Sequence, residues 1–538
     1  MTRTPKRFHP LLALSLNLAP AVFGAAAPPA PPRVWLDTTL AVQTGRTWTV
    51  APKCGDLQAS IDGARPGDTI VIPQAARCVG NYVLPRKPAG AGWIVIQGSS
   101  PKIPPAGTRM KPEYAPMLPK IVAPGSAAAV ATEPGAHHYR LVGLEITVAP
   151  AASINYGLVA LGDPSGAQNS LDRVPTDLVI DRCYIHGNPA QNVKRGVGLD
   201  SASSAVVDSY IAEIHSASQD TQAIGGFNGP GPFKIVNNYL EAAGENIIFG
   251  GALSLIPNLV PSDIEIRGNH LFKPLSWKAG HPSYAGIPWQ VKNLLELKNA
   301  RRALIDGNVL EYNWSHAQTG FAILFTVRTE NGRMPWNAVE DVAFTHNIVR
   351  HVSSVFNILG RDSDSARGAS GITQRILIQN NIFDDVSAAK FGGFGLLYQF
   401  LAGPRDIKVD HNTGIQDLRI STAEGQPPVA GFEFTNNIQP HNKYGMFGSG
   451  QGYGNQALDY YFPGAIVVKN VLAGGPASMY PPRNFFPPDL DGVGFVNLAT
   501  GDYHLRPASR YRRVGTDGKD PGADVDAVLK ATHGVVTP

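Results

Sequence analysis

An asparagine-centred repeat constrains this chain more than any other feature of its 538 residues. Ten segments align on an apolar first position, and they are spaced 25 to 39 residues apart. The fourth position is Asn in eight segments, and Cys183 and Ser209 replace it in the first two. The first positions are Ile180, Val206, Ile235, Ile266, Ile305, Phe344, Ile378, Val409, Phe434 and Val467. The eight asparagines are Asn238, Asn269, Asn308, Asn347, Asn381, Asn412, Asn437 and Asn470.

This periodicity predicts a solenoid of β-strands. Each copy alternates apolar and polar residues, which is the pattern of a strand with one buried face. An Asn at a fixed place in each coil can bond to the Asn above and below it, and Asn tolerates the left-handed backbone that tight turns need. We therefore predict an all-β parallel β-helix in which each ladder Asn forms a turn and has no catalytic role.

The N-terminus has the pattern of a secretory signal peptide over residues 1–27. Arg3, Lys6 and Arg7 form a basic start, an apolar run covers 11–23, and small residues follow. The alternative is a membrane anchor, but the run is too short to span a bilayer comfortably. We therefore expect the mature protein to be secreted or periplasmic.

The rest of the chain is predicted to form one elongated domain. Residues 28–49 form a Pro-rich linker and lead-in, and residues 50–530 form the solenoid. The ends of a solenoid expose apolar core and must be covered. A short helix over 55–64 is the expected N-terminal cap, and residues 490–530, which lack a ladder Asn, are the expected C-terminal cap.

Composition excludes several classes of protein. Charged residues make up 16% and hydrophobic residues 43%, which argues against disorder. The formal net charge of +4 falls to about +1 without the first 27 residues, so a broad surface for nucleic acid or anionic membrane is not expected. No later segment is typical of a transmembrane helix. We expect no nucleic-acid partner, no membrane insertion and a monomer.

The three cysteines fit neither a zinc site nor a disulfide scaffold. Cys54 and Cys78 could pair in an oxidising compartment, and Cys183 in the ladder is expected to be buried. No dense acidic cluster supports calcium. No metal or cofactor is predicted, and calcium stays an alternative that the residues do not support.

Three segments at the two ends of the repeat array carry a family resemblance. Residues 56–70 read DLQASIDGARPGDTI, 501–507 read GDYHLRP, and 522–526 read GADVD. These segments resemble secreted right-handed parallel β-helix proteins of the pectate-lyase-like superfamily, and segments 229–241 and 296–302 resemble a bacterial subgroup of it. The resemblance implies a right-handed parallel β-helix over nearly the whole mature chain. Lyases, hydrolases, epimerases and binding proteins share this fold, so function has to be argued from the site.

Aromatic residues concentrate in the two longest coils, which run from Ile266 to Phe344. Extra residues in a coil leave as loops on the flank of a solenoid, where repeat proteins often bind. Flat indole faces suit stacking on sugar rings, whereas the alternative is that they seal loops onto the strands. The predicted substrate-binding residues are Trp277, Trp289, Trp314, Trp336 and Tyr284.

Charged residues in and near the same coils are predicted to line one groove. Glu296 and Lys298 share the outward face of one strand, while Asp200 and Glu245 hold comparable places in earlier coils. The alternative is a ladder of surface salt bridges, each worth little. The predicted catalytic residues are Lys298, Arg328, Glu296, Glu245, His316 and Asp200.

Carboxylates, cations and aromatics in one groove suit an acidic polysaccharide. Elimination needs a neutralised uronate carboxylate and a base for the C5 proton, roles open to Lys298 or Arg328 with help from His316. Hydrolysis instead needs two carboxylates, and Glu245 with Glu296 would be the pair. We therefore predict a polysaccharide lyase. The alternatives are a hydrolase or epimerase on the same groove, and a glycan-binding or surface protein without catalysis.

Overall fold

Three parallel β-sheets wind around one continuous apolar core. The computed structural model describes residues 25–90, 92–364 and 368–536, so most of the predicted signal peptide lies outside the described residues. Each full coil passes through sheet A, turns at the ladder position, and crosses sheet B and then sheet C before the next coil begins. The chain is a right-handed parallel β-helix, as predicted.

Within the described residues, sheets A, B and C contain 14, 13 and 13 strands, and the last strand of sheet C is antiparallel. Sheet A contains Thr47–Thr49, Thr69–Ile72, Ile94–Gly98, His137–Val142, Thr176–Asp181, Ala202–Val207, Phe233–Val236, Ser262–Arg267, Ala300–Asp306, Val339–Thr345, Thr373–Gln379, Arg405–Asp410, Ala430–Thr435 and Ile466–Val468. Sheet B contains Arg77–Val79, Lys120–Ala123, Glu145–Val148, Tyr184–His186, Tyr210–Ile214, Tyr239–Ala242, His270–Phe272, Val309–Asn313, Ile348–Val352, Ile382–Val386, Thr413–Gln416, Ile438–Pro440 and Val471–Ala473. Sheet C contains Tyr82–Leu84, Val130–Thr132, Val159–Leu161, Arg195–Leu199, Gln222–Gly226, Glu245–Phe249, Leu295–Leu297, Phe321–Thr326, Ser354–Leu359, Leu396–Leu401, Arg419–Glu424, Met446–Gly448 and Gly452–Tyr453.

The remaining elements are short. The small two-stranded sheets pair Ile154–Asn155 with Asn192–Val193, Ser363–Asp364 with Gly368–Ala369, and Phe495–Asn497 with Asp502–Leu505. The α-helices are Leu57–Gly63, Ala388–Phe391, Asn455–Tyr461 and Val525–Ala531. The 3-10 helices are Pro112–Met117, Leu171–Arg173, Leu275–Trp277, Ala477–Met479, Asp491–Val493 and Leu498–Thr500. In the described part of the chain, no helix is long and apolar enough to cross a membrane.

The apolar first positions of the repeat stack in register on the inner face of sheet A. Ile180 pairs with Val206, Val206 with Ile235, and Ile235 with Ile266. The series continues to Val467, and all ten side chains belong to a core that extends from Val50 to Tyr480. Alternation along each strand therefore gives the buried face that the sequence predicts.

The asparagine ladder is a continuous column of hydrogen bonds between coils. The Asn308 backbone N–H and Nδ2 both donate to Asn347 Oδ1 over 2.9 Å, and Nδ2 also donates to the Ile266 carbonyl over 3.0 Å. Asn308 Oδ1 in turn accepts from the backbone N–H of Asn269 over 2.9 Å and from its Nδ2 over 3.0 Å. Asn484 adds a rung beyond Asn470 that the sequence repeat does not reveal.

The left-handed backbone does not fall on the ladder residue. It falls on the residue before it, with φ of +56° at Asn237, +52° at His346 and +53° at Asn380. The expectation that ladder asparagines are chosen for left-handed turns is therefore wrong. Their amide side chains, which donate and accept between coils, explain the repeat.

Short segments pack at the N-terminal end and along the flank of the solenoid. The helix Leu57–Gly63 buries Leu57 and Ile61 over the first coil, and a disulfide joins Cys54 to Cys78 beside it. Residues near the C-terminus form a separate apolar cluster, which includes Tyr503 and Val528, along the turn between sheets A and B. Cys183 is buried and free, and burial raises the pKa of its thiol to about 12.

The Pro-rich lead-in is docked and does not behave as a free linker. From Ala26 the chain passes along the outer face of sheet A to Arg46, whose carbonyl accepts from Thr69 in the second strand of that sheet. Residues 47–49 then form the first strand. We call residues 26–46 the N-terminal strap.

Candidate active site

A bend in sheet C turns polar side chains toward its outer face. In the coil that contains Leu294 and Leu295, both leucines are buried in the core, so the chain bends between them. Asn293 and Glu296, on either side, therefore both face outward. Asn293 Nδ2 donates to Glu296 Oε2 over 3.0 Å. The bend thus brings two outward polar positions of one coil together.

Preceding coils carry polar residues at the place equivalent to Asn293. Arg195 pairs in register with Gln222, and Gln222 pairs with Glu245. Arg195 Nε and Nη2 donate to Gln222 Oε1 over 3.1 and 3.0 Å. Gln222 Nε2 then donates to Glu245 Oε2 over 2.9 Å. A hydrogen-bonded column along the helix axis therefore leads to the Glu245 carboxyl.

The Glu245 carboxyl is fully buried, and one of its two oxygens accepts no hydrogen bond. The side chain is 0% exposed, and its Oε1 accepts no hydrogen bond. Burial raises the pKa of Glu245, and the nearby Asp220 and Glu296 carboxylates raise it further. Glu245 is therefore suited to hold and give up a proton.

Lys292 supplies a cation next to this carboxyl. Its Nζ lies 3.4 Å from Glu245 Oε1 and 2.7 Å from Asp220 Oδ1. Burial acts against the ammonium form, but the two carboxyls outweigh it and raise the pKa of Lys292. Lys292 is thus a fixed positive charge at the edge of sheet C.

Lys298 and Arg328 lie in adjacent coils at the other edge of sheet C. The Arg328 backbone N–H donates to the Lys298 carbonyl over 3.2 Å. Lys298 Nζ is 3.4 Å from Glu296 Oε1, and Arg328 Nη1 is 3.5 Å from Asp362 Oδ1. The Arg328 and Lys298 side chains are 42% and 20% exposed, whereas that of Glu296 is only 1% exposed. A ligand from solvent therefore meets the two cations first.

Together these side chains form one polar surface, which we call the sheet C column. It consists of Arg195, Asp220, Gln222, Glu245, Lys292, Asn293, Glu296, Lys298 and Arg328. Loops from sheet B to sheet C flank it on one side, including 273–294 and 314–320, and loops from sheet C to sheet A flank it on the other, including 327–338. The structure therefore brings the predicted residues Glu245, Glu296, Lys298 and Arg328 onto one face.

Three of the predicted stacking residues pack inside the protein. Trp277, Trp289 and Trp314 are 6%, 3% and 3% exposed, and they share an apolar cluster with Ala243 and Val291. Their faces are covered because loop 273–294 folds back onto sheet B. The prediction that these indoles stack on sugar rings is therefore wrong. Trp336 and Tyr284 are half-buried in loops on opposite sides of the column.

His316 and Asp200 lie at the margin of the column. His316 is exposed in the loop beside the column, where its Nδ1 accepts from the Val291 N–H over 3.3 Å. Asp200 is 1% exposed, and its Oδ1 accepts from the Phe227 and Asn228 N–H groups over 3.0 and 2.9 Å. The Asp200 carboxylate therefore holds backbone of the next coil through Oδ1, and its Oδ2 lies 4.0 Å from Arg195 Nη1 of the column.

A buried lysine supports the strand that carries Glu245. Lys273 is 0% exposed, and its Nζ donates to the carbonyls of Ala242, Ala243 and Gly244 over 2.7, 3.0 and 2.8 Å. It also donates to Asn246 Oδ1 over 3.0 Å. Burial lowers the pKa of Lys273, and the Glu245, Asp220 and Glu241 carboxyls oppose that shift. Lys273 therefore fixes the turn from which Glu245 emerges.

Sequence reasoning missed Arg195, Gln222 and Asn293 as members of the column. Each stands two residues before the core residue that stacks with Ile247 in sheet C, which is the signal that could have found them. A strict alternation of inward and outward residues would place these three side chains in the core, and the bend that turns them outward is not visible in the sequence. Lys292 and Asp220 were recognisable as nearby charges, but their contact with Glu245 depends on loop geometry.

The side chains of the sheet C column are poorly suited to binding a metal ion. Among the described residues, no three or more His, Cys, Asp or Glu side chains are grouped to hold one. The Lys292 and Lys298 ammonium groups already lie against the Glu245 and Glu296 carboxyls, where a divalent cation would need oxygen ligands. The donor set does not fit calcium, and no catalytic step is derived through a metal.

Comparisons with known proteins identify the fold. No family model matches the chain, and no curated protein sequence matches it. A PL6-family alginate lyase, AlyGC, superposes with a TM-score of 0.54 at 12% identity, over 92% of this chain and 60% of that one. A mannuronic-acid-specific family 6 polysaccharide lyase from the human gut microbiota superposes with a TM-score of 0.50 at 11% identity, over 82% of this chain and 91% of that one.

These likenesses agree with the fold of the chain. The chain shares the parallel β-helix fold of these two lyases, as its sequence predicts. It spans about 60% of the length of AlyGC. At 11% and 12% identity the likeness shows the fold alone, so chemistry has to be argued from the column.

Proposed function

We propose that this protein is a secreted polysaccharide lyase that cleaves a uronate-containing chain on the sheet C column. One observation carries the proposal. Two solvent-reachable cations, Lys298 and Arg328, stand in front of a buried carboxylate, Glu296, while Glu245 with its raised pKa lies on the same face. Such an arrangement offers binding, proton removal and proton return to an anionic sugar.

Each step of an elimination has a group suited to it. Lys298 and Arg328, which lie in adjacent coils at one edge of sheet C, bind the uronate carboxylate as cations. The Glu296 carboxylate, which lies 3.4 Å behind Lys298 Nζ, takes the C5 proton. The C5–H electron pair becomes the new C4=C5 double bond as the C4–O bond breaks. Glu245 protonates the departing oxygen.

The fold neighbours guide the choice of substrate. AlyGC is an alginate lyase, and the gut enzyme is specific for mannuronic acid. We therefore place alginate first among the substrates to test, with pectate as the second uronate. An uncharged polysaccharide would offer no carboxylate to Lys298 and Arg328.

A hydrolase is the second candidate, and the raised pKa of Glu245 favours it. A carboxylic acid that keeps its proton can protonate a glycosidic oxygen, and Glu296 would act as base or nucleophile on the same face. An epimerase would share the proton-removal step without bond cleavage. A glycan-binding protein would use the cations and leave the polymer intact.

The experiment compares substitutions in the column with one elsewhere. Lys298→Ala and Arg328→Ala are assayed on alginate and pectate, with Lys408→Ala as the control. Lys408 is also an exposed lysine in an ion pair, but it lies on sheet A, with Nζ 3.3 Å from Glu433 Oε2. Losing a proton-transfer or charge-stabilising group costs roughly 10²- to 10⁴-fold in kcat. Full activity in both column variants, with intact folding, would remove Lys298 and Arg328 from the reaction.

A further inference from the structure

The N-terminal strap binds a set of evenly spaced carboxylates on sheet A. Three backbone N–H groups of the strap, three residues apart, donate to three aspartates. The pairs are Ala27 with Asp406 Oδ1 at 3.4 Å, Ala30 with Asp341 Oδ1 at 2.9 Å, and Arg33 with Asp263 Oδ1 at 2.8 Å. Ala26 also donates to Glu433 Oε1 over 2.8 Å.

The three aspartates occupy one position of the repeat in every second coil. The coils between them place an arginine there, Arg302 after Asp263 and Arg375 after Asp341. Each arginine holds the preceding aspartate with two hydrogen bonds, at 2.7 and 2.9 Å for Arg302 and 2.6 and 2.8 Å for Arg375. The Asp263 and Asp341 carboxylates are thus held in place by side chains of the sheet as well as by the strap.

The geometry of the sheet sets the distance between these aspartates. Neighbouring strands lie about 4.8 Å apart, so every second coil repeats at about 9.6 Å along the axis. The strap runs along that axis from the coil of Asp406 to the coil of Asp263.

The strap sequence repeats with nearly the same length. Residues 27–33 read APPAPPR, so prolines remove the N–H from two of every three residues and leave it at Ala27, Ala30 and Arg33. Proline and the residue before it favour the polyproline II conformation, which rises about 3.1 Å per residue and therefore about 9.3 Å per three residues. Pro32 is buried and Pro29 half-buried, again three residues apart, which indicates one face of such a helix against the sheet.

We propose that the column of Asp263, Arg302, Asp341, Arg375 and Asp406 on sheet A is a recognition surface for a polyproline II chain with one N–H in every three residues. Residues 26–33 are its ligand in the uncleaved chain. Cleavage after residue 27, where the predicted signal peptide ends, would leave the Ala30 and Arg33 donors on Asp341 and Asp263. The two-coil period of the acids matches the three-residue period of the donors. Recognition therefore depends on register as well as on charge. Prolines supply rigidity, since a chain that is already extended loses little entropy on docking.

The test uses the full chain and removes one donor without changing the strap's conformation. Ala30→Pro keeps the segment extended but deletes the N–H that Asp341 accepts. Val42→Pro is the control, because Val42 is 89% exposed within the same strap. A third variant inserts one alanine between Ala30 and Pro31. The insertion removes no strap residue, but it shifts Ala27 by one residue relative to the aspartates.

Hydrogen exchange measured by mass spectrometry reads the strap directly, since prolines carry no exchangeable amide. We expect the amides of Ala27 and Arg33 to be protected in the unsubstituted chain and after Val42→Pro. Ala30→Pro should speed their exchange about tenfold or more, the loss expected for a hydrogen bond to a charged acceptor. The alanine insertion should expose Ala27. Exchange at Ala27 and Arg33 as fast as in a free peptide, or no change after Ala30→Pro and the insertion, would overturn the proposal. The readout does not depend on the enzymatic activity.

Discussion

Replacing Asn308 with Ala tests how much the asparagine ladder contributes to stability. Asn308 lies in the middle of the ladder. Its Oδ1 accepts two hydrogen bonds from Asn269, and its two Nδ2 hydrogens are shared among Asn347 Oδ1 and the Ile266 and Asp306 carbonyls. Alanine leaves the buried Asn269 N–H without its acceptor. The Asn308 amide has two acceptor contacts and two hydrogens to donate, and at a net value of about 1 kcal/mol for each of these bonds the expected loss is about 4 kcal/mol of unfolding free energy.

Asn484→Ala is the matched comparison at the end of the ladder. Asn484 Oδ1 accepts from the backbone N–H and Nδ2 of Asn470, as Asn308 Oδ1 does from Asn269, but Asn484 is only half-buried. Water can replace its partners, so we expect a loss of about 1 kcal/mol or less. Urea denaturation followed by circular dichroism measures both variants. Equal losses for Asn308→Ala and Asn484→Ala would refute the argument that burial sets the cost.

Three further predictions concern other parts of the molecule. Trp289→Ala should lower the unfolding free energy by about 3–5 kcal/mol in thermal or urea denaturation, because the buried indole stacks on His215 with ring centroids 3.9 Å apart; a stable variant with weakened glycan binding would contradict this. Glu245→Gln keeps the hydrogen bond to Gln222 but cannot release a proton, so kcat on alginate should fall about 100-fold or more with an unchanged unfolding midpoint. Although burial opposes ionisation of Asp341, hydrogen bonds from Arg375 and the Ala30 N–H hold its pKa below the ordinary 3.8. Because the folded pKa is depressed, this contribution to stability is present above pH about 4 and disappears as the pH falls through the lowered value. Hydrogen exchange at the strap amides, corrected for intrinsic rates, should therefore become faster across that range as the strap is released from Asp341.

The fold could be predicted from the sequence because the repeat itself sets the register. Ile305 and Phe344 are separated by 39 residues, yet they stack directly, since the ladder turn fixes where each coil re-enters sheet A. Long insertions in a coil leave on the flank and do not disturb this pairing. The same reasoning placed Glu296 on the outer face of sheet C.

The loops could not be predicted in the same way. The sequence shows that Trp289 lies in a long insertion, but it does not show whether that loop extends into solvent or folds back. Its indole packs on Val291 and His215 because burying an aromatic ring stabilises the loop more than solvent exposure does. The strap was hidden for a related reason. Prolines indicate stiffness, and only the structure shows the aspartates that accept from Ala30 and Arg33.

The central claim is that the sheet C column catalyses elimination from an acidic polysaccharide, and the product itself tests it most directly. The purified protein is incubated with alginate and with pectate, and the absorbance of the unsaturated uronate product is followed together with the release of reducing ends. The account predicts that absorbance and reducing ends rise together on a uronate polymer, and that both are lost in Lys298→Ala. New reducing ends without the absorbance would indicate hydrolysis by Glu245 and Glu296. An intact polymer, with neither signal on any uronate substrate, would contradict a catalytic role for the column.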